Sequence, residues 1–362
     1  MYRIPFFGLD RQYQNLKSEI ADLTDRVYSS GQLMNGTYTE QFESWLIKFN
    51  NSRHAVTVHS GTAALEAIAE YYHNEFQEQP CVLIPAMTYR ATANAFIRAG
   101  WQVEFVDTDA YGVLDFDQLP THRYQAVVIV GLYGASIAHA GNVRQWQDWL
   151  ARDVLIFEDG AQHWLADGGT RIGEATAISF DPTKNLPCYG NGGAVVTRNS
   201  NLADFVRKWR SNGNTTGDLV GTNSRMSEID CGLLLIKADC IYDWQARRQE
   251  IAQYYIDQFR NMPIRCLVTD DMIYNHAFHK FVIDIDERDR VQQDLKRYGI
   301  ETRIHYAVPL HEESAYSLIP GPGLLSCASA LSRRVLSLPI YPELTDAEVE
   351  YVARQVRVHC YA

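Results

Sequence analysis

ISFDPTKNLPCYGNGGAVVT, residues Ile178–Thr197, reads as a short apolar strand, a turn carrying one lysine, a glycine-rich loop and a second apolar strand. Lys184 stands between Pro182 and Pro187, which keep the segment out of a helix. Gly190, Gly192 and Gly193 let the backbone turn tightly or pass close to a bound group. A lysine held rigidly at the end of a buried strand suits one chemistry well: a desolvated amine with a lowered pKa forms a Schiff base with an aldehyde cofactor. The competing reading is a surface turn whose lysine keeps the loop soluble. The neighbouring stretches bear on the choice.

Upstream, HAVTVHSGTAALEAIAEYY (His54–Tyr72) gives a strand, a Ser60-Gly61-Thr62 turn and a strong helix former from Ala63 to Tyr72. That turn is either a phosphate cradle at the positive end of a helix dipole or a plain N-cap with Ser60 or Thr62 as capping residue. Pro80–Pro85, Val103–Val106, Gln125–Gly131 and Val154–Phe157 read as buried strands, with helices at Ala91–Ala99 and Asn142–Leu150. Short apolar strands alternating with helices predict an α/β layer with a largely parallel sheet. Ligands in such sheets sit beyond the carboxyl ends of the strands. Ser60-Gly61-Thr62, Tyr89, Tyr133, Asp159 and the Lys184 turn each follow a strand, so five candidate groups converge on one edge. Asp159 is a helix cap, an arginine partner, or the acid that keeps a cofactor's ring nitrogen protonated. Gln162, one turn on, is placed to orient a hydroxyl or a carboxylate.

Before this layer, Phe7–Tyr28 is an amphipathic helix with Leu16, Ile20, Leu23 and Val27 at helical spacing. Thr39–Asn50 is a second helix, with Phe42, Trp45, Leu46 and Phe49 on its buried face. After it come a helix at Leu202–Arg210, a loop through Ser211–Thr222, a capping box at Ser227–Asp230 opening a long helix, and a helix at Trp244–Phe259. From about Pro263 the pattern becomes α+β: strand His279–Ile285, helix Arg288–Tyr298 closed by Gly299, and strand Glu301–Tyr306. A Thr345–Glu348 capping box then opens a last helix, Ala347–Val358. The expected division is a large cofactor-binding domain over residues 1–245 and a small C-terminal domain over 246–362.

The 362 residues are 46% hydrophobic and 21% charged, enough for one sizeable core and a smaller one. A net charge of −11 argues against nucleic acid as the main partner, yet a local arginine or helix N-terminus still holds one phosphate. Seven scattered cysteines without CxxC spacing fit reduced thiols in the cytoplasm. Met1–Asp10 is not expected to be a signal peptide, and no run approaches the ~18 apolar residues of a membrane span. His276 with His279, and His305 with His311, have spacings a metal uses, but no cysteine or HExxH accompanies them, and no metal is expected. GxGxxG, GxxxxGK[ST] and GxSxG are all missing.

Taken in order, SGTAAL (60–65), TYRATANA (88–95), FVDTD (105–109), GLYG (131–134), EDGAQ (158–162), SFDPTKN (179–185), GGAVVT (192–197), NSRMSE (223–228), IHYAVPLH (304–311) and LSLPIYP (336–342) form a specific series. On these motifs the chain resembles the DegT/DnrJ/EryC1/StrS group of pyridoxal-phosphate-dependent sugar aminotransferases, over nearly its whole length. The resemblance implies fold type I: a large domain with a mostly parallel mixed sheet between helices, plus a smaller C-terminal α+β domain. It implies that Lys184 is the Schiff-base lysine and proton shuttle, that Asp159 partners the pyridine nitrogen, and that Gln162 contacts the ring hydroxyl. Gly61 and Thr62, assisted by Ser179, would bind the cofactor phosphate, and Tyr89 would stack on the ring. Asn223 would reach the phosphate across a dimer interface, implying a homodimer with shared active sites. His305, His311 and Arg225 are candidates for the sugar-nucleotide pocket, against which stand a packed histidine, a surface histidine and an interface salt bridge. Arg303 and Tyr306 are undecided. Two features depart from the family's pattern: Gly160 stands where alanine is commoner, and Pro187-Cys188-Tyr189 replaces small residues after the lysine.

The expected reaction is a ping-pong transamination from an amino acid, L-glutamate, to a nucleotide-linked keto-deoxysugar. Three other readings remain. One is a cofactor-binding regulatory protein without turnover. Another is a dehydratase of the same family, which Lys184 disfavours because histidine replaces the lysine there. The third is a nicotinamide-dependent oxidoreductase, disfavoured by the missing GxGxxG.

Overall fold

The computed structural model describes residues 3–137, 148–149, 151–166, 172–213, 217–268, 270, 272–319 and 325–361. The helix expected over Asn142–Leu150 lies, but for Asp148 and Trp149, outside the described residues. In chain order the first elements are α1 (Leu9–Asn15), α2 (Lys17–Ser30), α3 (Thr37–Phe49), β1 (His54–Val58), α4 (Gly61–His73), β2 (Cys81–Pro85), α5 (Arg90–Arg98) and β3 (Gln102–Val106). Then come β4 (Ala126–Val130), β5 (Leu155–Asp159), β6 (Ala175–Ser179), β7 (Gly193–Thr197), α6 (Ser200–Trp209), α7 (Glu228–Ala238) and α8 (Ile241–Phe259). The last are β8 (Arg265–Cys266), β9 (Phe281–Asp284), α9 (Arg288–Arg297), α10 (Ser326–Arg334), β10 (Val335–Leu338) and α11 (Asp346–Tyr361).

Seven strands form one sheet in the order β1-β7-β6-β5-β4-β2-β3. β3, β2, β4, β5 and β6 pair parallel, and β7 runs antiparallel to both β6 and β1. Six of the seven strands therefore end on the same edge. Helices cover both faces, so β2, β4, β6 and β7 are buried throughout, as continuous apolar runs predict. Alternate residues go to opposite layers. Val56, Val58 and Val195 join the core under α4 and α6, while Ala55, Ala194 and Val196 pack with Phe42 and Leu46 of α3.

A second sheet, β10-β9-β8, is antiparallel and packs its Phe281 and Ile283 with residues of α8, α9 and α11. Ile4 is buried in that cluster and bridges Ile300, and α8 runs unbroken through the expected division at residue 245/246.

Two expectations are corrected. Phe7–Tyr28 is two helices, broken at Leu16. The break lets each serve a different surface. Arg11 of α1 forks onto Glu348 of α11 at 2.7 and 2.6 Å, whereas Leu23 and Val27 of α2 pack on Leu233 of α7. Glu301–Tyr306 is not a strand; only Arg303 bridges, to Ser337, because His305 turns its Nδ1 onto Ser337 Oγ (2.8 Å) and Tyr306 turns toward Gln162. The Thr345–Glu348 capping box is complete, its two residues exchanging bonds at 3.0–3.3 Å, whereas at Ser227 the cap half is present, Ser227 Oγ accepting from Asp230 N (3.2 Å) and donating to Asp230 Oδ2 (2.6 Å).

Candidate active site

The turn after β1 is built for close approach. Ser60 is the N-cap of α4, its hydroxyl accepting from Ala63 N at 3.1 Å. Gly61 and Thr62 follow as the first helical residues, whose N–H groups have no intrahelical acceptor and sit at the positive end of the dipole. A Cβ on Gly61 would lie 2.7 Å from Ser179 Cβ, and one on Gly193 would lie 2.3 Å from the Ser60 carbonyl carbon. The ends of β1 and β6 and the start of β7 thus close on one backbone turn, with Ser179 buried against it. Capping and an anion cradle are compatible there: the cap uses Ala63 N and leaves the two preceding amides.

At the end of β5, Asp159 is buried and accepts from Thr92 Oγ1 (2.7 Å) and Ala161 N (3.1 Å); Thr92 is in turn 3.1 Å from Thr88 Oγ1. Gln162 Oε1 accepts from Tyr133 N at 2.8 Å and lies 3.2 Å from His279 Nδ1, while its Nε2 reaches Tyr306 Oη at 3.3 Å. Tyr133 Oη donates to the His305 carbonyl at 2.5 Å. The exposed Tyr89, N-cap of α5, places its ring 6.0 Å from that of Tyr306.

The Lys184 turn is fixed by Asp181, whose Oδ1 accepts from Thr183 N (2.8 Å) and Oγ1 (2.6 Å) and whose carbonyl accepts from Lys184 N (2.9 Å). Burial lowers the Lys184 amine below its ordinary value; the carboxylates of Asp159 and Asp181 only partly offset this. Lowering favours the unprotonated, nucleophilic form. Lys184 itself is half-buried, which favours the desolvated amine of the first reading over a solvated surface group.

The other residues singled out in the sequence divide. Asn223 Oδ1 accepts from Arg225 Nε (3.3 Å) and Nη2 (3.1 Å) on an exposed loop, which Ser224 ties to the end of β1 through His59 N (2.8 Å). His305 is held at Ser337, its pKa pushed down to about 3 by burial and then by Lys280, Lys184 and Arg303. His311 turns to Ser329 Oγ of α10 at 3.2 Å. The histidine pairs of metal-like spacing split: His276 Nδ1 accepts from Phe278 N, whereas His279 faces Gln162 and Thr183.

Both departures have local causes. A Cβ on Gly160 would lie 2.7 Å from Thr176 Cγ2 and 3.0 Å from the Ala177 carbonyl, so this chain has no room for alanine there without a shift. Pro187-Cys188-Tyr189 packs on the buried Lys237 of α7, whose Nζ donates to Pro187 O at 2.6 Å and lies 4.0 Å from the Tyr189 ring centroid. Thr92, Lys280 and Arg248 of this region were not singled out by the sequence. Thr92 lies inside the TYRATANA motif, and the other two carry no motif signal.

A phosphorylated pyridine aldehyde fits these residues. The cradle a Cβ would fill, a buried carboxylate beyond a strand end and an amine of lowered pKa are the three features such a group needs. Comparison with known proteins agrees. Residues 14–357 match the model of the DegT/DnrJ/EryC1/StrS aminotransferase family. The erythromycin biosynthesis sensory transduction protein EryC1 of Saccharopolyspora erythraea is 34% identical, over 96% of this chain and 97% of that protein. The dTDP-3-amino-3,4,6-trideoxy-alpha-D-glucose transaminase of Streptomyces venezuelae is 32% identical, over 98% and 96%. The crystal structure of S. venezuelae DesV in complex with a ketimine intermediate is alike with a TM-score of 0.92 at 31% identity, over 100% of both chains. The architecture is that of fold type I, an α/β layer with a seven-stranded, mostly parallel mixed sheet. From the motifs, the sheet and these likenesses together, the chain belongs to the DegT/DnrJ/EryC1/StrS aminotransferase family.

Proposed function

We propose that the chain is a pyridoxal 5′-phosphate-dependent transaminase that moves an amino group from an amino acid, L-glutamate, to a nucleotide-linked keto-deoxysugar. The observation that carries this reading is the Lys184 amine, desolvated and within the field of the buried Asp159 at the carboxyl edge of the sheet. The bound cofactor supplies an aldehyde carbon for an amine and an electron-withdrawing ring. The chain's own residues do the rest. The Gly61 and Thr62 amides, with Ser179, hold the phosphate. Asp159, fixed by Thr92 and Ala161, keeps a proton on the ring nitrogen, Gln162 orients the ring hydroxyl, and Tyr89 covers one ring face. Lys184 Nζ would take the proton from the donor's α-carbon and deliver it to the cofactor carbon that had been the aldehyde. Arg225, His305 and His311, the two histidines held by Ser337 and Ser329, are the candidates for the sugar-nucleotide side. Asn223, on its exposed loop, reaches the site of a second copy, which makes the working unit a homodimer with shared sites. The reading places the protein in the cytoplasm. Among the described residues no helix is long and apolar enough to cross a membrane.

The test is a visible absorption spectrum of the purified protein before and after L-glutamate, on the natural chain and on Lys184→Ala. A yellow band that L-glutamate bleaches, lost together with multiple-turnover transamination in Lys184→Ala, is the expected result. Undiminished turnover in that variant sinks the assignment of Lys184. A second reading is favoured by one relative being named a sensory transduction protein: a cofactor-binding regulator. It requires a yellow band that L-glutamate leaves unchanged, with no keto-sugar processed.

A further inference from the structure

Lys280 immediately precedes β9 and is 4% exposed, an unusual place for an amine. Its Nζ donates to Thr183 O at a long 3.4 Å and faces the rings of Phe7 and Phe6, with centroids at 4.6 and 5.4 Å. Arg248 of α8 is 7% exposed. Its Nη1 donates to the carbonyls of Phe278 (3.0 Å) and Ile340 (2.7 Å), while its Nε is buried without a hydrogen-bond partner among the described residues. Both side chains line one small cavity together with Lys184, Glu343, Phe6 and Phe7.

The charges facing Lys280 are unbalanced. Lys184 and Asp181 approach from the turn after β6, Arg248 from α8, Arg303 from the segment after α9, and His279 and His305 stand beside them. Asp181 already serves Thr183 with Oδ1, and Glu343 accepts from Gln12 Nε2 at 3.3 Å. Buried cations that outnumber the carboxylates are relieved by losing a proton or by taking in an anion. Donor capacity left over on two buried cations around one polar space favours the anion. The cavity holds about 20 Å³, room for one small group and too little for a phosphate ester or a sugar.

We propose that this cavity is a carboxylate subsite, in which Lys280 and Arg248 receive the carboxylate group of the amino donor beside Lys184. The carboxylate chemistry stands by itself; its assignment to the donor rests on the transaminase reading above. Arg248 is tied to two carbonyls and supplies a fixed donor. Lys280, whose one hydrogen bond is long, is the group able to turn onto the ligand and so the one to test.

Thermal melts of the full chain in sodium formate, sodium glutarate and sodium chloride, at matched ionic strength, read the subsite without turnover. Neither carboxylate carries an amino group, so the result does not depend on a yellow band. Formate and glutarate are expected to raise the melting temperature beyond chloride, with an apparent affinity at least tenfold weaker in Lys280→Met. Lys280→Gln, which keeps a polar group for Thr183 O, is expected to lose the effect equally and guards against a folding defect in the first variant. Chloride matching formate, or an undiminished response in both variants, overturns the subsite. A formate response without a glutarate response assigns the cavity to a free small anion and overturns its link to the donor. A carboxylate response in a protein that shows no yellow band leaves the subsite standing and removes the transaminase reading alone.

Discussion

Asp159 ends β5 with its carboxylate inside the protein, where an ionised group stands only if donors surround it. Two are present, Thr92 Oγ1 at 2.7 Å and Ala161 N at 3.1 Å. Thr92 sits on the first turn of α5, 67 residues earlier in the sequence, and its hydroxyl is oriented by Thr88. Replacing Thr92 by valine keeps the shape and removes the donor. A hydrogen bond to a charged group contributes about 1.5–3 kcal/mol. Thr92→Val therefore weakens cofactor retention by about tenfold or more, since about 1.4 kcal/mol is a factor of ten. Equilibrium dialysis against pyridoxal phosphate reads this, with circular dichroism as the check on folding. Retention equal to that of the natural chain would mean that Ala161 N alone positions Asp159.

Between elements, the decisive joint is the turn after β4. Tyr133 and Gly134 both have positive φ, 64° and 114°. Their carbonyls accept from Lys280 N (3.0 Å) and Ala277 N (2.8 Å), which ties the large sheet to the segment leading into β9. A Cβ on Gly134 would lie 2.8 Å from Phe278 N and 3.0 Å from His279 N, both backbone atoms that cannot swing aside. Gly134→Ala is expected to lose about 1–3 kcal/mol of stability from the strained φ alone and to move His279 off Gln162. Urea unfolding, with cofactor retention measured in parallel, checks it; an unchanged midpoint would show that the joint relaxes freely. The strands of the large sheet were legible in the sequence because burial on both faces leaves uninterrupted apolar runs. The break at Leu16, the irregular path of Glu301–Tyr306 and the strand β10, which runs into LSLPIYP, were not. Their shapes are set by partners far away in the chain, Glu348 for Arg11 and Ser337 for Arg303, which no local pattern records.

At the scale of the molecule the same division holds for the site. The candidate positions Ser60–Thr62, Tyr89, Asp159 and Lys184 were readable as positions because each ends or follows a strand of the parallel layer. His279, Lys280 and Arg248 arrive from the second sheet and its helix, His279 meeting Gln162 across 117 residues of sequence. That junction is also where the chain is exposed to acid. His276 and His305 are pushed down to about 3, each first by burial, and His279 also lies well below its ordinary value. A histidine whose folded pKa lies below its unfolded value of about 6.5 binds fewer protons folded than unfolded across that interval. Stability is therefore complete above pH ~6.5 and is lost as pH falls toward the folded values. At pH ~5, His276 and His305 each remove about 2 kcal/mol, at ~1.4 kcal/mol per pKa unit. Acid sensitivity then begins a full unit or more above the range in which ordinary carboxylates titrate, about 4. Denaturant unfolding at pH 7 and pH 5 measures the loss. His276→Asn, which keeps an acceptor for Phe278 N, is expected to recover about half of what these two histidines cost. An equal loss in the variant would take His276 out of the acid response and leave it to His305 and His279 on the same junction.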